Sequence, residues 1–211
     1  MIPSKAEWEA ALAERHGREL QQRFSRATVA VCGLGGLGSC IASALARAGV
    51  GRLILLDFDR VDISNLHRQQ YKAHQIGELK TDALAQNLRE IAPYTALRTH
   101  SIKITEENLV PLLREADVIC EAFDRPEAKA MLVNGVLEAL PACYLVAASG
   151  MAGLETPNTI QTRQITRRFY LCGDGQNDAA DTIGLVAPRV MLCAAHQAQT
   201  VLRILAGEYN V

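Results

Sequence analysis

The sequence predicts an α/β domain: a mainly parallel sheet with helices on both faces and an antiparallel hairpin at one edge. Three observations carry this reading. Short apolar runs alternate with longer helical patterns up to Gly150, and such alternation implies parallel strands joined by right-handed crossovers. A glycine-rich turn stands directly between the first apolar run and the helix that follows it. Beyond Gly150 the pattern changes to apolar–polar alternation, which marks strands with one solvated face.

The elements follow in order. A polar helical stretch leads, from residue 5 to about residue 24. Strands are predicted at 28–32, 52–57, 96–102, 116–122 and 142–148, and helices between them at 36–48, 80–91, 105–115 and 126–140. Residues 159–166 alternate, and 167–172 pairs with them as the edge hairpin. A polar loop follows at 173–184. Pro188 is well placed to open a last helix running to about Ala206, with Gly207 as its stop. No repeat, low-complexity tract or linker divides the chain, so a single domain over 1–211 is expected, with 1–26 as an N-terminal helical segment. A domain of this size buries roughly 70% of its unfolded surface.

Composition narrows the function. Lys and Arg total 22 against 23 Asp and Glu, without the basic excess usual in proteins that bind nucleic acid or a membrane surface. No apolar run approaches the roughly 20 residues needed to span a bilayer. The first residues lack the apolar centre of an export signal, so a cytoplasmic protein is expected. Six cysteines (Cys32, Cys40, Cys120, Cys143, Cys172, Cys193) are scattered with no C-x-x-C pair. They read as free thiols, and no zinc is expected.

Gly33-Leu-Gly35-Gly36-Leu-Gly38 is a G-x-G-x-x-G between a strand and a helix. In that setting Gly33 permits the tight turn, Gly35 lets backbone N–H groups approach phosphate oxygens, and Gly38 lets helix pack on strand. The helix N-terminus adds N–H dipoles where a polyphosphate would lie. Asp57 ends the second strand about 20 residues on, where an acid binds ribose hydroxyls. Together these make the domain Rossmann-like and nucleotide-binding. The loop alone leaves NAD, FAD and ATP open.

The next segment bears on the choice. A dinucleotide enzyme enters a helix soon after its ribose acid. Here DFDRVDISNLHRQQYKAHQIGELK runs on, polar and irregular, to Lys80. Asn65, Arg68, Gln69 and Lys80 read as amide and cationic donors without a carboxylate partner in phase, a set suited to a triphosphate. A solvated surface loop has the same composition.

GLGGLG, LLDFDRVDISNLHRQQ and IGELK together resemble the signature of the ThiF/MoeB/HesA adenylyltransferases, relatives of the ubiquitin-activating enzymes. The similarity runs from roughly Glu14 to Gly207. It implies that ATP is used to adenylate the C-terminal Gly-Gly carboxylate of a ubiquitin-like sulfur carrier, in thiamine or related sulfur-cofactor biosynthesis. Carried over, the glycine loop, Asp57 and Asp59 would hold the nucleoside end. Asn65, Arg68, Gln69 and Lys80 would hold phosphates, and Asp124 would position Mg²⁺, with Arg68, Lys80 and Asp124 as the catalytic set. Asp124 reads alternatively as a helix N-cap before Pro126. The resemblance also implies a homodimer in which an N-terminal arginine, Arg15 or Arg18, reaches the neighbour's site; each reads equally as a solvated charge.

The chain departs from the family pattern in places. The metal-site Asp is commonly followed by Asn and, a turn later, Arg; here Arg125 and Lys129 stand there. Larger members carry two C-x-x-C pairs that hold zinc, and this chain has neither. The chain resembles a short ThiF-like branch, in which the later strands that help grip a carrier are not expected. Cys172 is either a sulfur-handling cysteine or a structural one. Asp174, Asp178 and Asp181 read as a solvated loop or as a flap over a carrier tail. The five histidines show no ligand spacing. Three other functions stay open: adenylation of a small molecule or tRNA base, a non-catalytic partner subunit, and, last, an NAD-dependent oxidoreductase.

Overall fold

The computed structural model describes residues 2–176 and 183–211. Five strands form the parallel part of the sheet: β1 (Thr28–Cys32), β2 (Arg52–Leu56), β3 (Ala96–His100), β4 (Val118–Glu121) and β5 (Tyr144–Ala148). β6 (Gln161–Thr166) and β7 (Phe169–Gly173) form the edge hairpin. The order is β3-β2-β1-β4-β5-β7-β6, parallel at every pairing except β6–β7. The order reverses between β1 and β4, and open α/β sheets hold ligands outside the carboxyl ends of the strands at that point.

Both faces of the sheet are covered, which explains why its central strands read as unbroken apolar runs. Val29, Val31, Leu53, Leu55, Cys120 and Val146 face one way, into a core shared with α3 (Gly36–Arg47), α4 (Lys80–Ile91) and α7 (Ala187–Ala206). Ala30, Cys32, Ile54, Leu56, Ile119 and Leu145 face the other way, against α5 (Leu109–Leu113) and α6 (Pro126–Ala139). Alternate residues along each strand therefore supply both cores.

Two predicted helices change. The leading stretch is two helices, α1 (Lys5–His16) and α2 (Arg18–Arg26), because Gly17 takes φ +83° and its N–H caps Ala13. The helix expected at 105–115 shrinks to α5. Asn108 accepts the N–H of Thr105 and donates to the carbonyl of Lys103, which fixes a turn where helix was predicted. Several strands stop short of their apolar runs; Ile102, for example, lies outside β3. Asp178 and Asp181 lie outside the described residues.

Gly38 shows why α3 can follow β1 so closely. A Cβ there would lie 1.8 Å from the Gly33 carbonyl oxygen. Gly38→Ala is therefore expected to destabilise the fold by about 1–3 kcal/mol, the range for overpacking. Urea denaturation checks this; an unchanged midpoint would show that the loop relaxes without strain.

Candidate nucleotide-binding site

The glycine loop leaves β1 through Gly33, whose φ of +91° a side chain would resist. Its N–H donates to Leu56 at 2.8 Å, tying the loop to the end of β2. Leu34 is held at both ends: its N–H donates to Asp57 Oδ2 at 2.7 Å, and its carbonyl accepts the Tyr71 hydroxyl at 2.7 Å. Burial, followed by the charges of Asp57 and Asp59, pushes the Tyr71 phenol far above its ordinary range, so it stays a donor. Asp57 Oδ1 accepts the N–H of Asp59 at 2.8 Å. Each carboxylate oxygen of Asp57 thus has a protein partner, and an ionised carboxylate retains lone pairs for a ribose as well. Gly36, Leu37 and Gly38 precede the first helical bond of α3, from Ser39 to Gly35, so their N–H groups are available to an anion.

The segment from Asp57 to Lys80 is a loop closed at its base. Arg60 and Leu79 form an antiparallel bridge, Val61 donates to Glu78, and the Lys80 N–H donates to the Asp59 carbonyl. This closure puts the Lys80 ammonium 2.9 Å from Asp59 Oδ2, with Lys80 only 6% exposed. The expectation of an unpartnered lysine is corrected: Lys80 has a carboxylate partner, brought by a bridge between residues far apart in sequence. Within the loop, Asp62 caps a short 3-10 turn at Ile63–Asn65. Arg68 follows, half-buried, with Nη1 3.2 Å from the Ser64 carbonyl. Gln69 is buried, and its Oε1 has no hydrogen-bond partner among the described residues.

The third side of the site comes from the end of β4. Asp124 is exposed and lines the cleft. Its carboxylate makes no hydrogen bond or ion pair among the described residues. The cap position of α6 is Arg125, without a side-chain cap bond, so Asp124 is not the helix cap. Lys129 does not stand free: it lies 2.9 Å from Oε1 of the fully buried Glu121. Burial pushes the Glu121 carboxyl up, and Lys129 opposes that shift. These groups open on one cleft of roughly 1160 Å³, which the glycine loop, Asp57, Asp59, Asn65, Arg68, Gln69, Lys80, Asp124 and Lys129 all line. Its remaining walls, 102–107 and 149–152, were not foreseen from the sequence. Glu121 was also missed, although a carboxylate inside an apolar strand is itself a signal.

Other expected residues fall elsewhere. Arg15 and Arg18 are exposed, make no hydrogen bond or ion pair among the described residues, and do not line the cleft. Cys172 is fully buried beside Thr162, and burial raises its thiol, which suits a structural role better than a nucleophilic one. Asp174 is not solvated, as its loop suggested: it pairs with Arg189 at 2.5 Å, both side chains being 4% exposed. Among the described residues no three His, Cys, Asp or Glu side chains gather to hold a metal, and no helix is long and apolar enough to cross a membrane.

Sheet order, glycine loop and cleft position together are those of a Rossmann-type nucleotide-binding domain. The model of the ThiF family matches residues 9–211, and the chain belongs to that family. It is 31% identical to the molybdopterin-synthase adenylyltransferase of Escherichia coli over 89% of this chain and 76% of that protein. It is 38% identical to the sulfur carrier protein adenylyltransferase of Thermus thermophilus over 51% of this chain and 40% of that one. The chain spans about half the length of several other curated relatives it matches. In fold it resembles the tRNA N6-threonylcarbamoyladenosine dehydratase of E. coli in complex with AMP. The TM-score is 0.85 at 20% identity, covering 99% of this chain and 98% of the other.

The Leu34 clamp gives a direct test. Tyr71→Phe removes one buried hydrogen bond to the glycine loop and is expected to lower stability by about 0.5–1.5 kcal/mol. Thermal unfolding of the two proteins measures it.

Proposed function

We propose that this chain is an ATP-dependent adenylyltransferase that activates the C-terminal Gly-Gly carboxylate of a ubiquitin-like sulfur carrier. The observation that supports this best is the composition of the cleft. A helix N-terminus with available N–H groups, the cations Arg68 and Lys80, and an Asp124 carboxylate with no hydrogen bond or ion pair among the described residues line one space. The names of the E. coli and T. thermophilus relatives point to the same chemistry. The pathway proposed is thiamine or related sulfur-cofactor biosynthesis.

In this reading the glycine loop and Asp57 hold the nucleoside end of ATP, with Asp59 holding Lys80 in place. Asn65, Arg68, Gln69 and Lys80 hold the phosphates. The carrier's carboxylate attacks the α-phosphorus, the bond to the bridging oxygen breaks, and pyrophosphate leaves. The nucleophile is already ionised, so no general base is required. The protein contributes alignment and charge neutralisation. Asp124 fits a nucleotide-borne Mg²⁺, which needs only one or two carboxylates besides phosphate oxygens. When bound, that ion would offset negative charge on the phosphates. A homodimer, with Arg15 or Arg18 of one copy reaching the other's cleft, belongs to the same proposal.

Calorimetry should show binding of ATP with Mg²⁺ and none of NAD; the reverse would overturn the adenylation reading. With a Gly-Gly-terminated carrier, ATP–pyrophosphate exchange should vanish in Asp124→Ala while the fold persists. Arg68→Ala should lose roughly ten- to a hundred-fold in ATP affinity or rate, as expected for one charge-assisted hydrogen bond to phosphate. Arg68→Lys should recover part of this, because an ammonium cannot reproduce the guanidinium fork. Exchange supported only by a small carboxylic acid or by tRNA would move the acceptor, not the chemistry.

A further inference from the structure

The turn between β4 and α6 contains an ion pair that the proposed chemistry does not use. Glu121 ends β4 with no solvent exposure. Its Oε1 accepts the N–H of Phe123 at 2.7 Å and the Lys129 ammonium at 2.9 Å. The same ammonium donates to the Phe123 carbonyl at 3.0 Å and stands 2.8 Å from Glu121 Oε2. Both peptide groups of Phe123 are therefore anchored, the incoming one by Glu121 and the outgoing one by Lys129. The outgoing group is the peptide that leads into Asp124.

Among the described residues the Asp124 side chain has no hydrogen bond or ion pair to hold it. Arg125 after it is extended and uncapped. The direction of the Asp124 carboxylate thus depends on the backbone that the pair fixes. From below, Gln197 Nε2 donates to the Glu121 carbonyl at 3.0 Å, so the anchor is itself seated on α7. From the side, a Cβ on Gly33 would meet the Ala122 carbonyl oxygen at 2.7 Å, so the turn abuts the glycine loop. A buried ion pair is a poor way to gain stability, since desolvation offsets most of the attraction. An ammonium can, however, bind a carboxylate and a carbonyl two residues apart at once, which an apolar pair cannot.

We infer that Glu121 and Lys129 are positioning residues: they set the Phe123–Asp124 peptide so that Asp124 faces a nucleotide-borne Mg²⁺, and Lys129 is not itself a phosphate ligand. This rests on the nucleotide site proposed above. The test is ATP calorimetry with and without Mg²⁺ on wild type, Lys129→Met and Lys129→Arg, with hydrogen exchange of the Phe123 amide followed by NMR. Lys129→Met should keep Mg²⁺-free ATP affinity within about two-fold and lose about ten-fold of the Mg²⁺-dependent gain, the scale of an outer-shell metal partner. Its Phe123 amide, which donates to Glu121 Oε1, should exchange faster, and Lys129→Arg should restore both readouts in large part. Should Lys129→Met fail to fold, Glu121→Gln with Lys129→Met removes both charges together, keeps an acceptor for Phe123, and should show the same loss. A Mg²⁺ gain that survives in these variants would overturn the inference, leaving the pair merely structural. An equal loss of ATP affinity with and without Mg²⁺ would also overturn it, making Lys129 a phosphate contact. Wild-type protein that binds ATP no better with Mg²⁺ would bring down the metal part of the nucleotide reading as well.

Discussion

The carboxylate of Asp57 is the tie on which the rest of the site depends. It stands at the end of β2 and accepts N–H groups from two segments, Leu34 in the glycine loop and Asp59 in the following loop. Asp59 in turn accepts Lys80 through both its carbonyl and its carboxylate. The glycine loop, the acid and the buried lysine therefore form one continuous hydrogen-bonded chain. Removing the carboxylate would leave a buried N–H on Leu34 without a partner, which is more disruptive than the net worth of one bond. A group that binds a ribose in this fold class thus also shapes the loop that would receive the phosphates.

The same economy governs the charges. Lys80 is almost wholly buried, and burying a charge without a partner is costly. Asp59, half exposed, supplies that partner and takes only part of the donor capacity of the ammonium. Asp124 is the contrasting case, a carboxylate with no hydrogen-bond or ion-pair partner among the described residues. In the proposed reading, a cleft that pairs Lys80 and leaves the Asp124 carboxylate open to solvent suits a ligand that brings anionic oxygens together with a divalent cation.

How much of this was legible in the sequence depends on the range of each interaction. β1, β2 and the glycine loop were readable because burial on both faces of a parallel sheet leaves an apolar run, and the backbone contacts of Gly33 and Gly38 admit no side chain. The edge hairpin was readable from alternation, though not that β7 would pair with β5 and leave β6 outermost. The Gly17 break was missed because a glycine within a helical pattern is often tolerated. The shortening of α5 was missed because Asn108 diverts the backbone through side-chain bonds. Lys80 was read as unpartnered because its partner lies 21 residues earlier and arrives only when Arg60 bridges Leu79. Asp174 read as solvated for the same reason: its partner, Arg189, is on another element.

That last pair shows that the two halves of the cleft are held by different means. On the nucleotide side, backbone amides and two carboxylates knit neighbouring loops together. On the side next to β5, the wall 149–152 belongs to an irregular segment with little regular backbone bonding of its own. Arg189, at the start of α7, supplies what is missing: Nε donates to Ala152, Nη1 to Glu155 and Thr156, and Nη2 to Thr159 Oγ1 and Asp174. Asp174 and Gly175 then donate backbone N–H groups to Gly150 and Ser149. A planar guanidinium can serve these acceptors together, whereas a lysine has three donors about a single nitrogen. Because α7 also packs on α3, which opens from the glycine loop, the arginine refers the far wall to the same helix pair that supports the near one. The far wall is therefore tied to the core through one side chain, while the near wall is held by bonds within and between its own loops.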